Sequence, residues 1–203
     1  MYFGVLCFGF FSGCREESKE LAVIETDFGR MVVRFYDEAA PMHVESFKIL
    51  AKEGYFDGTT FHRVIPGFVI QGGDPNSKDD DRMNDGEGGR AGRFYDFGDE
   101  DDPDTWRLPA EFNSRHHVRG ALSMARTRDP NSAGSQFFIC VEPAFRLDGQ
   151  YTVFGQVTEG LDVIDKIVEV DTPRKLDPDY KDRDADNPLK PVRMKIHLGS
   201  QQK

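Results

Sequence analysis

Few residues in this chain have the type and spacing for chemistry. Cys140 sits in the apolar run QFFICV, where a thiol serves as a small buried apolar group rather than a nucleophile. His116-His117 are adjacent, so on an extended chain they point apart, and no Cys or His cluster flanks them; the pair reads as a solvated loop, not a metal site. Asp81 to Gly86 puts Met83 where a calcium loop needs an oxygen, and Asp182 to Asn187 lacks the glycine and has Arg193 at the terminal glutamate position. Gly86-Glu87-Gly88-Gly89 is followed by no Lys-Ser/Thr, so it is not a phosphate loop. What remains is Arg63 in FHRVIPGF, a permanent cation with rigid N–H donors, and Gln71 eight residues on, across a Pro66-Gly67 turn. On residue type alone the favoured reading of Arg63 is a surface arginine pairing with acidic loops.

The elements that must position these residues are short. Leu21–Asp27 and Met31–Tyr36 are β-rich and separated by Phe28-Gly29-Arg30, a hairpin pattern. Pro41 opens an amphipathic helix that Gly54 stops, and TTFHRVIPGFVIQGGD gives two strands about Pro66-Gly67. Ala121–Ala125, Gln136–Val141, Thr152–Val157 and Val192–Leu198 read as strands, and Leu161–Val170 as a second helix. Residues 75–117 and 171–191, poor in apolar residues and rich in Asp, Gly, Arg and Pro, read as long surface loops. Many short strands, two helices and an aromatic core imply a mainly β chain closed into a barrel.

The chain has 203 residues, 38% hydrophobic and 31% charged, enough for one domain with extensions and its own core. A net charge of -10 leaves no cationic excess for capturing nucleic acid. Residues 74–104 hold twelve acids and four bases, a net of −8. That concentration is expected to act as a selector of basic client segments or to be a solvated face.

MYFGVLCFGFFSGC is uncharged and too short to span a membrane as a helix. Ser12-Gly13-Cys14 resembles the end of a bacterial lipobox, with Phe11 in place of the usual Leu and no basic residue before Arg15. Two readings stand. In one, residues 1–13 are a removed signal peptide and Cys14 is lipidated, with 14–20 a tether, so that the protein is exported and anchored, periplasm-facing, to the bacterial cell envelope. In the other, they are a buried first strand or a frayed terminus. The cysteine usage agrees with the first: Cys7 would be removed, Cys14 acylated and Cys140 left single.

Three segments together, FHRVIPGFVIQGGD (61–74), AGSQFFI (133–139) and LDGQYTVFGQVTEGLDVIDKI (147–167), resemble the signatures of the cyclophilin-type peptidyl-prolyl isomerases in the right order. GALSMAR (120–126) and DGEGG (85–89) fill two further positions. The resemblance implies a closed eight-stranded antiparallel barrel capped by two α-helices over residues 21–199, acidic insertions included. It implies a groove that accelerates isomerisation of X-Pro bonds in exported or cell-envelope proteins, with no cofactor and no metal. The alternative is a proline-peptide binding or chaperone module with little catalysis.

The barrier to that isomerisation is roughly 18–20 kcal/mol, and the uncatalysed step takes tens to hundreds of seconds. Reaching milliseconds requires about 10⁵, or about 7 kcal/mol. The twisted amide nitrogen has lost resonance and accepts a hydrogen bond better than either planar form does, so a donor aimed at it binds the transition state selectively. By resemblance Arg63 is that donor, Gln71 holds it and touches the substrate backbone, and His62 lines the same groove. Phe68, Val69, Phe138, Leu147 and Tyr151 match the proline pocket, with Val69 at a common Met position and Tyr151 at a common His position. Gly86, Ala125, Arg126, Thr127 and Gln136 match positions that grip substrate backbone. Arg146 stands where many members carry the Trp that binds cyclosporin, so weak cyclosporin binding is expected.

Overall fold

A computed structural model of the chain describes residues 20–200. The expected leader, Cys14 and most of the tether lie outside the described residues. Eight strands form one antiparallel sheet: β1 (Glu20–Thr26), β2 (Gly29–Phe35), β3 (Arg63–Ile65), β4 (Val69–Gly72), β5 (Ala121–Met124), β6 (Phe137–Cys140), β7 (Val153–Glu159) and β8 (Met194–Ser200). Their order is β3-β4-β6-β5-β7-β2-β1-β8. Two helices, α1 (Pro41–Lys52) and α2 (Leu161–Val168), pack on it.

The sheet curls round, but the barrel is less completely closed than expected. The end strands β3 and β8 do not pair along their lengths. β3 is only three residues long, and its Val64 N–H is already given to the Asp186 carbonyl at 2.8 Å. The irregular segment before β3 stitches the seam instead: Gly58 N–H donates to the Met194 carbonyl, Met194 N–H to Thr59 and Phe61 N–H to Val192.

Alternation along each strand sorts side chains to two faces. The inner face and α1 build one aromatic core around Phe47, whose ring lies 4.9 Å from Phe56, 5.5 Å from Phe137 and Phe154 and 5.8 Å from Phe35 between centroids. Phe138, next to Phe137 on β6, turns to the outer face and packs with Val69, Val153, Phe68, Leu147 and Tyr151. Cys140 is buried beside them, and burial pushes its thiol up to about 12, which leaves it unreactive.

The two long segments are less open than their composition suggests. The 75–117 segment contains single 3-10 turns at Pro75–Lys78 and Pro103–Thr105, and buries Ser77, Ala91, Tyr95, Leu108 and His117. Its Glu111 carboxylate accepts the N–H groups of Met42 and His43 at 3.0 and 2.9 Å, supplying the cap that Ala40 cannot offer α1. The 171–191 segment includes a one-turn helix, α3 (Pro173–Leu176), capped by Thr172. His117 corrects the solvated-loop reading: it is fully buried, while His116 beside it points outward.

The opposite facing of Phe137 and Phe138 gives a paired test. Phe137→Ala is expected to cost about 3–5 kcal/mol in denaturant unfolding while leaving substrate KM unchanged. Phe138→Ala is expected to raise KM with a smaller loss of stability. The reverse pattern would mean that the register of β6 is wrong by one residue.

Candidate active site

The β3–β4 hairpin places Arg63 directly opposite Gln71. Arg63 Nη1 donates to Gln71 Oε1 at 3.1 Å, Gln71 Nε2 to Gln136 Oε1 at 3.0 Å, and Gln136 Nε2 to the Gly88 carbonyl at 2.8 Å. Each amide accepts on one side and donates on the other, so the chain has one direction and fixes the guanidinium at its end. Asp74, fully buried, closes it: its carboxylate accepts from Gly86 N–H, from Gly88 N–H at 3.2 Å and from Gln136 Nε2 at 3.4 Å. Gly88 permits this approach, since a methyl there would lie 2.4 Å from Asp74 Oδ1.

Arg63 is held in partial burial by an amide rather than a carboxylate. Desolvation lowers its pKa, and Asp186 opposes that through space. The Asp186 oxygens are themselves taken by Arg174, at 2.7 and 3.5 Å. The guanidinium stays charged, with N–H groups left for a ligand.

Three cavities meet at Gln71. An apolar one of about 200 Å³ is lined by Phe68, Val69, Phe138, Leu147 and Tyr151, with Arg63 and Ala125 at its rim. A polar one of about 180 Å³ brings together Gly86, Ala125, Arg126, Thr127 and Gln136. The third, about 260 Å³, lies between the two inserted segments and holds His62 and Arg63 with Asp85, Asp184 and Asp186. His62 therefore lines the third cavity and not the apolar one. It is 5% exposed, and its pKa is pushed down to about 4, by burial first; Asp74 opposes this shift and Arg63 reinforces it.

Two arginines shape the rims. Arg126 donates to the Gln150 carbonyl at 3.1 and 2.7 Å and lies over the Tyr151 ring at 4.5 Å. Arg146 lies over Phe68 at 4.2 Å. Of the acidic run, Asp74, Asp85 and Glu87 reach the site, while most of the other acids lie outside these cavities. Asp79, Asp81, Asp99 and Asp102 accept the N–H two residues on and cap their own turns. Glu87, at the polar cavity, pairs with Arg183.

Every site residue named from the sequence in the described region lies at one of these cavities. Asp74 was missed as an organiser, although it ends the motif that contains Arg63 and Gln71. The only available signal was an acid closing an otherwise apolar run.

The family model described as cyclophilin type peptidyl-prolyl cis-trans isomerase/CLD matches residues 21–196. The chain belongs to this family. Its reaction is isomerisation of the peptide bond before proline. A probable peptidyl-prolyl cis-trans isomerase of Brucella abortus is 40% identical over 152 residues, covering 74% of this chain and 72% of that protein. The isomerase ppi1 of Schizosaccharomyces pombe is 38% identical over 172 residues, 84% and 93% of the two chains. A cyclophilin crystal structure from Cryptosporidium parvum, determined in the presence of the dipeptide Ala-Pro, has a TM-score of 0.71 at 26% identity and covers 90% of this chain and 99% of that one.

His62 gives this cyclophilin a pH signature. Unfolded, it takes up a proton near pH 6.5; folded, it does so only at about pH 4. Between those values the unfolded chain binds more protons, so stability falls as pH drops from 6.5 and levels off below 4. The contribution is at most about 1.4 kcal/mol per pH unit. His62→Gln is expected to flatten this part of the curve in urea titrations at several pH values; an unchanged slope would show that His62 titrates normally.

Proposed function

We propose that Arg63 catalyses prolyl isomerisation by donating a hydrogen bond to the twisted amide nitrogen, with the proline ring in the apolar cavity beside it. The supporting observation is the directed chain Arg63–Gln71–Gln136, which holds a charged donor at the rim of a cavity lined by Phe68, Val69, Phe138, Leu147 and Tyr151. The substrate enters planar. The ring is held while the acyl side rotates, and the nitrogen becomes pyramidal and basic as resonance is lost. Arg63 then gains an acceptor it lacks in either planar state, so its bond lowers the barrier in both directions. No proton is transferred and no covalent intermediate forms.

On this reading Gly86, Ala125, Arg126, Thr127 and Gln136 align the substrate backbone. The Ala125 N–H is already given to the Gln136 carbonyl at 2.9 Å, which leaves the Ala125 carbonyl as that residue's backbone contribution. His62 is neutral at pH 7 and acts by packing behind Arg63. The substrates are proline-containing polypeptides, and the protein is exported and attached to the cell envelope through lipid on Cys14. The lipobox-like Ser12-Gly13-Cys14 supports that attachment, and Cys14→Ser is expected to abolish incorporation of labelled lipid.

Arg63→Ala is expected to lower kcat about 10²–10³-fold on a short X-Pro peptide, the usual cost of one preorganised donor, with peptide affinity changed only a few-fold. Equal rates for the two proteins would remove the role assigned to Arg63. Arg146 covers Phe68 with a cation where an indole would stack, and cyclosporin inhibition is expected to be weak. Nanomolar inhibition would contradict that.

A further inference from the structure

Phe138 forms one wall of the apolar cavity and has a buried histidine behind it. His117 is fully buried, and its ring lies parallel to Phe138, with centroids 5.9 Å apart and planes 14° apart. Both ring nitrogens are held. Nδ1 is 2.8 Å from Asp148 Oδ1, and Nε2 is 3.0 Å from Ser123 Oγ. Asp148 is fixed in turn, accepting the His117 backbone N–H at 2.9 Å and contacting His116 Nδ1 at 2.6 Å.

The proton positions follow from the partners. A carboxylate only accepts, so Nδ1 carries the hydrogen. Burial disfavours a second proton on the ring, and Nε2 is then an acceptor that takes the Ser123 hydroxyl hydrogen. The Ser123 hydroxyl is shared with the Thr152 carbonyl, to which it also donates at 3.0 Å and which accepts the Met124 N–H as well. All partners are satisfied with one tautomer of a neutral imidazole. Asp148 at one edge and Ser123 at the other leave the ring no freedom to rotate or flip.

We propose that His117 is a positioning residue for proline recognition: clamped between Asp148 and Ser123, its ring face sets the plane of Phe138. The resemblance that marked Phe138 gave His117 no such role. A polar side chain has a specific advantage here. An apolar ring of this size would be held by packing alone, whereas two hydrogen bonds at opposite edges fix its plane. Tyr151 also meets Phe138, in a T-shaped contact with centroids 5.7 Å apart, so two rings bear on the wall.

The inference rests on Phe138 lining the proline pocket, and the test separates the two claims. The proline ring occupies the pocket in both planar isomers and in the twisted state, so a displaced wall weakens all three alike and raises KM with kcat kept. A purely structural loss lowers the folded fraction and therefore apparent kcat, with KM kept. Steady-state kinetics on an X-Pro tetrapeptide are expected to show KM raised about tenfold for His117→Ala with kcat within about twofold. His117→Phe, which restores a flat ring without its clamps, is expected to recover part of that loss, to about threefold above wild type. Ser123→Ala deletes a single hydroxyl and keeps the assay informative if His117→Ala does not fold; it is expected to raise KM about two- to fivefold. Unchanged KM in both His117→Ala and Ser123→Ala, or a loss confined to kcat, would overturn the role of His117. Unchanged KM in Phe138→Ala would instead overturn the pocket on which it rests.

Discussion

The site depends on the antiparallel register of β3 and β4, which sets a guanidinium opposite a carboxamide. A cation that must serve a transient acceptor cannot be committed to a carboxylate. It would then hold its strongest partner in every state of the reaction and have nothing to gain at the barrier. Gln71 holds Arg63 with a neutral acceptor, Gln136 holds Gln71, and Gly88 and Asp74 hold Gln136. The carboxylate of this hydrogen-bonded series, that of the fully buried Asp74, is thus kept at its far end. The three-residue β3 is too short to fix this alone, and Asp186 completes it by accepting Val64 N–H while its side chain engages Arg174.

Sequence made the hairpin legible because its determinants are local. FHRVIPGFVIQGGD contains the turn, the alternation and both Arg63 and Gln71 within one segment, so the register follows from counting across Pro66-Gly67. The two outward rings, Phe68 and Phe138, were also legible, the second because only one of Phe137 and Phe138 can face the groove. The barrel seam was not. It is made by irregular backbone at 58–61 against 192–194, and irregular pairing leaves no periodicity to read.

The two long loops are less open than their composition suggests, and the aspartates are one reason. Aspartate was counted as charge, but in 79–102 much of it serves turn geometry, each side chain accepting an N–H two residues on. Glu87 pairs with Arg183 and Asp184 with Arg82, so the inserted segments also bind one another, while Asp99 to Asp102 stay exposed. His117 was misread for a related reason: its partners Ser123 and Asp148 lie 6 and 31 residues away, and a buried polar side chain is recognisable only once its partners are in place.

The central claim is that Arg63 binds the twisted amide and not the planar one. The measurement that reaches it most directly is the affinity of wild type and Arg63→Ala for two ligands: a planar X-Pro peptide and an analogue locked with a twisted, pyramidal nitrogen. The expected result is a loss of about 10²–10³-fold for the twisted analogue alone, with the planar peptide bound nearly as well by both proteins. An equal loss for both ligands would make Arg63 a general binding residue and contradict the mechanism.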